Sequence, residues 1–328
     1  MHSLFPDTRV ETAISGWAGI AVSLGLDPTE FTHKLVWQKD EARRSHVVLR
    51  LVSPTRQLIL KQVFRAEGNK DVVGAITAQR DAAERLSAYP NAHAPAVLWM
   101  SDDGWTTVME AVPGKTLDQH LTDDRPPKPV LKRTGAWLAA FHRTSEEGRR
   151  KYQPRFMVNH IQHLRDQVDA GEIDLPEPKL FSACAAQIPR IAAEFEGRLS
   201  VSCAKHGDFN LRNIILGPTG ATGIDFAPHQ TAPVGFDISR ILLDYAELFQ
   251  RSQDVPQGAV LAPQTLEAFF SGYDLVTPDD PGVGFLSYVQ LLKDWRAVPS
   301  NKAERSWRQA RRFDTILALA HRAFDLPT

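Results

Sequence analysis

Short apolar stretches dominate the first part of the chain. Residues 31–38, 45–52 and 57–64 are rich in Val, Leu and Ile and are parted by the polar runs KDEARR and SPTR. They predict an antiparallel meander of strands. Ahead of them, 8–26 reads as an amphipathic helix. Behind them, 71–88 (DVVGAITAQRDAAERLSA) carries helical periodicity and stops before Pro90. Two more strands are predicted at 96–100 and 106–111, joined by the turn sequence SDDG.

The pattern changes after the Pro-rich, charged connector TDDRPPKP at 122–129. Helical periodicity then covers 130–144, 155–170, 179–199, 237–251, 263–273, 284–295 and 302–324. The exception is 205–226, KHGDFNLRNIILGPTGATGIDF, whose apolar bursts NIILG and ATGIDF flank GPTG and predict a β-hairpin. The expected architecture is α+β, with a sheet-rich N-terminal lobe over 1–111 and a hinge and linker over 112–128. A helical C-terminal lobe over 129–328 completes it.

Composition narrows the partners. Of 328 residues, 43% are hydrophobic and 23% charged, with a formal net charge of −1, the make-up of a soluble globular protein. That balance gives no reason to expect nucleic acid or a membrane surface as partner. Cys184 and Cys203 form no CxxC pair, which argues against a disulfide framework or Cys-based zinc and for a reducing compartment. The apolar run WAGIAVSLGL at 17–26 is too short for a bilayer and lacks a basic leader and a small-residue cleavage site. A cytoplasmic protein is expected, its oligomeric state left open.

The chemistry gathers in 205–226. Asp208 falls on a loop, Asn213 at the next strand and Asp225 at the returning strand. Magnesium takes oxygen ligands, commonly one or two carboxylates beside phosphate oxygens. A carboxylate near an acceptor hydroxyl can orient it and take its proton. The hairpin brings Asn213 and Asp225 towards one end, where they can share a metal, and leaves Asp208 as base. Such a set reads as a metal–nucleotide site for phosphoryl transfer.

HGDFNLRN resembles the HGDxxxxN loop of the aminoglycoside phosphotransferase and choline kinase family, and GIDFAPHQTAPVGFDISR resembles its IDF/W…G…D element. The resemblance runs from residue 31 to about residue 245. It implies a two-lobed protein-kinase-like fold with ATP and Mg2+ as cofactors. Asp208 becomes the catalytic base and Asn213 and Asp225 the metal ligands, while His206 supports the loop and Asp237 braces it. The phosphate lysine is expected at Lys61 in LILKQVF, with an acidic partner on the following helix at Asp81 or Glu84. Met109-Glu110-Ala111-Val112 becomes the hinge, the backbone of Glu110 and Val112 facing adenine. The first hairpin departs from the family: QKDEARRS at 38–45 has no Gly, so Ser45, Arg43 and Arg44 are the substitutes over the phosphates. Gly114-Lys115-Thr116 imitates the end of a Walker A loop, but Met109 stands where its first Gly belongs.

The acceptor is a small-molecule hydroxyl, and charge bears on its class. Residues 293–322 carry eight Lys and Arg against three carboxylates, the wrong sign for a polycationic antibiotic or choline. A neutral or anionic sugar-like compound fits better. The Gly-free hairpin keeps one alternative open, a nucleotide-binding regulator of weak or absent turnover. A protein kinase is disfavoured, since HRD, DFG and APE elements are missing. His160, His163 and His229 show no metal spacing.

Overall fold

In the computed structural model, which describes residues 8–40, 45–66, 69–123 and 126–326, the N-terminal strands join in one antiparallel sheet. Helix α1 (Thr8–Ser23) precedes β1 (Thr32–Asp40), β2 (Ser45–Val52) and β3 (Gln57–Arg65). Helix α2 (Asn69–Leu86) and the short β4 (Ala92–His93) lead to β5 (Val97–Met100) and β6 (Thr106–Glu110). The sheet order is β1-β2-β3-β6-β5, every pair antiparallel.

One face of this sheet is written in period two: Val47, Leu49 and Leu51 of β2 and Leu58 and Leu60 of β3 are all buried. Against them α1 sets Ala13, Trp17, Ile20 and Ala21, with Trp17 edge-on to Phe31 at 5.1 Å. Burying Trp17 contributes roughly 4 kcal/mol by area. The apolar run too short for a bilayer is therefore a core helix face, ending at Ser23 rather than 26. Among the described residues no helix is long and apolar enough to cross a membrane.

The chain divides into two units. The first extends to Gly114 and takes in Gly217–His229; the second holds Lys115–Leu216 and the chain from Gln230 onward. In the second unit come β7 (Lys115–Thr116), α3 (Leu117–Thr122), α4 (Pro127–Arg143) and β8 (Arg149–Lys151). Next are α5 (Arg155–Asp169), α6 (Pro178–Ala193), β9 (Leu199–Ala204) and β10 (Ile214–Leu216). Strand β11 (Ala221–Gly223) rejoins the first unit, where it pairs in parallel with β4. The second unit resumes with β12 (Thr231–Pro233), α7 (Gly235–Phe249), α8 (Pro263–Phe270), α9 (Pro281–Arg296) and α10 (Trp307–Ala323).

Several expectations are corrected. The helix over 179–199 stops at Ala193, and Leu199–Ala204 is a strand instead, the centre of an antiparallel sheet β12-β9-β8. The helix over 302–324 begins only at Trp307, where Ser306 and Gln309 cap each other's backbone. Residues 217–229, assigned from the pattern to the lobe 129–328, belong to the first unit because β11 is held there by β4 and by Ala221 N–H on the Asn91 carbonyl at 2.9 Å. Strand β10 pairs with β7, and GPTG closes as a turn through Gly217 N–H and the Gly220 carbonyl at 2.9 Å.

Helices α7 and α9 meet backbone to backbone. A Cβ on Gly235 would stand 2.3 Å from the Gly282 carbonyl carbon, so only glycine permits the approach.

Candidate active site

The loop after β9 presents Asp208, and local hydrogen bonds fix its shape. The Asn213 amide nitrogen donates to the Asp208 carbonyl at 2.8 Å and to Asp208 Oδ2 at 3.2 Å. Asn210 Nδ2 adds a bond to the same carbonyl at 3.1 Å. A carboxylate can only accept, so Asn213 must turn its nitrogen towards Asp208. Its Oδ1 then has no partner among the described residues. A hard cation takes such an oxygen.

Helix α7 grips this loop at two points. The Asp237 carboxylate accepts from the N–H of His206 at 2.6 Å and of Gly207 at 3.0 Å. Two turns on, Asp244 Oδ2 accepts from Leu211 N–H at 2.9 Å. Between them Arg240 reaches Asp208 Oδ1 at 3.7 Å. Asp237, Arg240, Asp244 and Glu247 stand at i, i+3, i+7 and i+10, one stripe of the helix.

Asp237 is buried, with 2% of its surface exposed. His142 Nε2 lies 3.1 Å from it, and the opposite ring nitrogen 2.9 Å from the Tyr273 hydroxyl. The acceptor-only carboxylate puts the proton on Nε2, so Tyr273 donates to Nδ1. Burial opposes the Asp237 charge, but the His142 hydrogen bond, the electrostatic attraction of the His142 and His206 rings and the Gly207 N–H outweigh it. The carboxyl is held below the usual carboxylate range. His206 packs its ring against Trp137 and Phe209 at 6.1 and 5.3 Å.

The first unit holds the other group of expected residues. Lys61, on β3, pairs with the Asp225 carboxylate. Asp225 has φ of +63°, the left-handed region that a non-glycine residue occupies only under constraint. Asp81 and Glu84 are not brought to Lys61. The inward stripe of α2 is Ala78, Gln79, Ala82 and Leu86, and helical geometry turns 81 and 84 away from it. Gln79 spends its amide on the Pro95 carbonyl at 3.1 Å. Ser45 is also corrected: it is 1% exposed and its hydroxyl accepts from Arg9 Nη1 at 3.1 Å, so it does not face a phosphate site. Arg43 and Arg44 lie outside the described residues. At the hinge, Glu110 N–H is taken by the Ala96 carbonyl at 3.1 Å and Ala111 N–H by the Gln57 carbonyl at 3.2 Å. Val112 N–H has no partner among the described residues.

No group of three His, Cys, Asp or Glu side chains forms a metal cluster among the described residues.

A family model described as the phosphotransferase enzyme family, APH, matches residues 37–278. The chain belongs to this family. Solved structures that resemble this phosphotransferase include a choline/ethanolamine kinase family protein from Mesorhizobium loti. It is 14% identical, covers 97% of this chain and 98% of its own, and gives a TM-score of 0.58. Spectinomycin phosphotransferase, solved with ADP and spectinomycin, is 14% identical over 95% of this chain and 98% of its own, with a TM-score of 0.55. Choline kinase from Streptococcus pneumoniae is 12% identical over 93% and 98%, with a TM-score of 0.54. At these identities the likeness shows the fold, the protein-kinase-like α+β architecture expected from the motifs. No curated protein sequence matches the chain.

Four contributors to the phosphotransferase loop escaped the sequence reading: His142, Tyr273, Arg240 and Asp244. The last two left a signal. Charges at i+3 and i+7 from Asp237, inside an otherwise apolar helix DISRILLDYAELF, have to find partners. His142 and Tyr273 left none.

Proposed function

We propose that the phosphotransferase moves the γ-phosphoryl group of ATP, with magnesium, onto a hydroxyl of a small molecule. The acceptor is neutral or anionic and sugar-like rather than an aminoglycoside. The observation that carries this reading is Asp208, a carboxylate on a loop anchored on both sides by one helix. Asp208 takes the hydroxyl proton as the acceptor oxygen bonds to the γ-phosphorus. The bond from that phosphorus to the bridging oxygen breaks, and ADP leaves with its electron pair. Asn213 Oδ1 and Asp225 are the residues that would hold magnesium, whose charge would offset that of the phosphates. Lys61 turns from Asp225 to the phosphates, and Val112 N–H takes the adenine edge.

The Gly-free hairpin and the occupied Ser45 favour a second reading, a regulator that binds nucleotide without transferring phosphate. Magnesium-dependent ADP release separates the two. It is measured with sugars, amino sugars, choline, amino alcohols and aminoglycosides. We expect one acceptor class to raise ADP release in the wild type. In Asp208→Asn turnover falls about 10²–10⁴-fold while MgATP affinity holds within about twofold, because Asn keeps the side-chain volume. Asp225→Ala loses both. MgATP binding with silence across the panel supports the regulator, and phosphorylation of kanamycin but of no sugar refutes the acceptor class.

A further inference from the structure

The second unit contains a cavity of about 260 Å³ whose walls include Gly207, Lys205 and Phe236 near the loop, Arg240 of α7, and Lys293 and Asp294 of α9. It adjoins the proposed base: Gly207 precedes Asp208, and Arg240 reaches the Asp208 carboxylate. Its volume lies below the roughly 300–1,000 Å³ of sites for drug-sized ligands, which suits one small polyol and not a linked antibiotic.

Its walls carry three cations, Lys205, Arg240 and Lys293, against two carboxylates, Asp237 and Asp294, and Asp237 is already taken by the His206 and Gly207 N–H groups and by His142. Asp294 is bound by Arg240 at 3.1 Å and approached by Arg312 at 3.8 Å, so its charge is already shared between two guanidinium groups. Lys205 lies with its ammonium 5.5 Å above the Phe236 ring. Neither Lys205 nor Lys293 forms an ion pair among the described residues. Burial, opposed by Asp294 and joined by the charges of Arg240 and Lys205, holds the Lys293 ammonium below the ordinary lysine range. The same field reaches His160, lowered by burial and then by Lys293 and Arg296.

The basic count of 293–322 does not by itself make this cavity. Arg308 is engaged by Asp118, Arg312 by Glu247 and Asp244, and Arg305 by the carbonyls of Pro299 and Ser300. Lys293 is the residue of that stretch that brings a cation without an ion pair among the described residues to the cavity wall, which Lys205 also lines.

We propose that this cavity is the acceptor site and that the acceptor carries an oxyanion, a carboxylate or a phosphate monoester, held by Lys205 and Lys293 while its hydroxyl faces Asp208. The proposal rests on the phosphotransferase reading above and sharpens its acceptor class. Two cations beside the base fix the anionic end and leave the hydroxyl end to the reacting groups. They reject a polycationic acceptor by like-charge repulsion.

Two measurements test it separately from that reading. In the first, matched acceptors (glycerol, D-glycerate and glycerol 3-phosphate; ribose, ribonate and ribose 5-phosphate; choline) receive labelled phosphate from ATP. We expect an anionic member to exceed its neutral parent by about tenfold or more in kcat/KM, and which anion wins names the group. Lys205→Ala and Lys293→Ala each erode that preference about tenfold, read as KM, and Lys293→Arg retains it. Preference for a neutral member or for choline overturns the proposal. In the second, inorganic sulfate is titrated calorimetrically into the protein saturated with MgADP. We expect saturable binding, weakened about tenfold in either alanine variant. Absence of binding, or binding unchanged in both variants, overturns the cavity as an anion site. Sulfate binding lost in the variants, with no transfer to any acceptor, upholds the anion site and overturns transfer.

Discussion

Asp237 shows how much one side chain can organise. It accepts hydrogen bonds from two backbone N–H groups of the loop after β9 and from a histidine ring. Its folded pKa lies below the ordinary value of 3.8. A lowered folded pKa means that the charge stabilises the fold fully above about pH 4 and that this is lost as pH falls through the folded value. Asp237→Asn would point an amide N–H at groups that are themselves donors. We expect a loss of about 3 kcal/mol at pH 6–7. The gap in Tm between wild type and variant should narrow below about pH 4, and thermal melts across pH would detect it. A gap that persists unchanged in acid would mean that charge is not what the residue supplies. At this scale legibility depended on distance along the chain. Asp208 and Asn213, five positions apart, meet through hydrogen bonds local to one short motif. His142 is 95 positions from Asp237 and 131 from Tyr273, and no local pattern encodes such a meeting.

Helix α7 is the element that turns sequence spacing into site geometry. Its polar stripe faces the loop at Asp237, Arg240 and Asp244, and its far end enters a buried ionic cluster. There Arg312 of α10 serves Glu247, Asp244 and Asp294. Burial raises the Glu247 carboxyl well above its ordinary range, Asp294 and Asp244 add to the rise, and Arg312 opposes it. Three carboxylates crowd one guanidinium, and Glu247 is the one with no exposed surface. Arg312→Ala should cost about 3–5 kcal/mol, since it leaves buried carboxylates unpaired. Glu247→Gln should cost less than about 1 kcal/mol at neutral pH, because the amide keeps the side chain's shape and removes a charge whose burial is costly. Urea unfolding of the two variants compares them directly, and equal losses would contradict this assignment. Elements with a strong period were read well, among them α2, α5 and the sheet strands. The strand Leu199–Ala204 was not, because its apolar residues continue from α6 and hide the change of period.

For the whole molecule, the chain crosses between units after Gly114, after Leu216 and after His229. A linear reading placed one border in the hinge and linker and could not foresee the return, since β11 pairs with β4 across more than a hundred residues of intervening chain. It follows that residues 1–114 are not an autonomous piece. A fragment ending at Gly114 lacks the parallel partner of β4 and the carboxylate that pairs with Lys61. We expect it to show no cooperative thermal transition by circular dichroism, whereas the full chain does. A sharply melting fragment would refute the interdependence.

The ion pair between Lys61 and Asp225 has one further consequence. On the proposed reading these are the groups that seek polyphosphate and metal, and without either they quench each other. Free magnesium arriving alone must strip an ammonium from its carboxylate, and free ATP must strip a carboxylate from its ammonium. Each separate event leaves a charge stranded. On that reading the metal–nucleotide complex would replace both partners in a single exchange, so the site would favour the complex over either component alone.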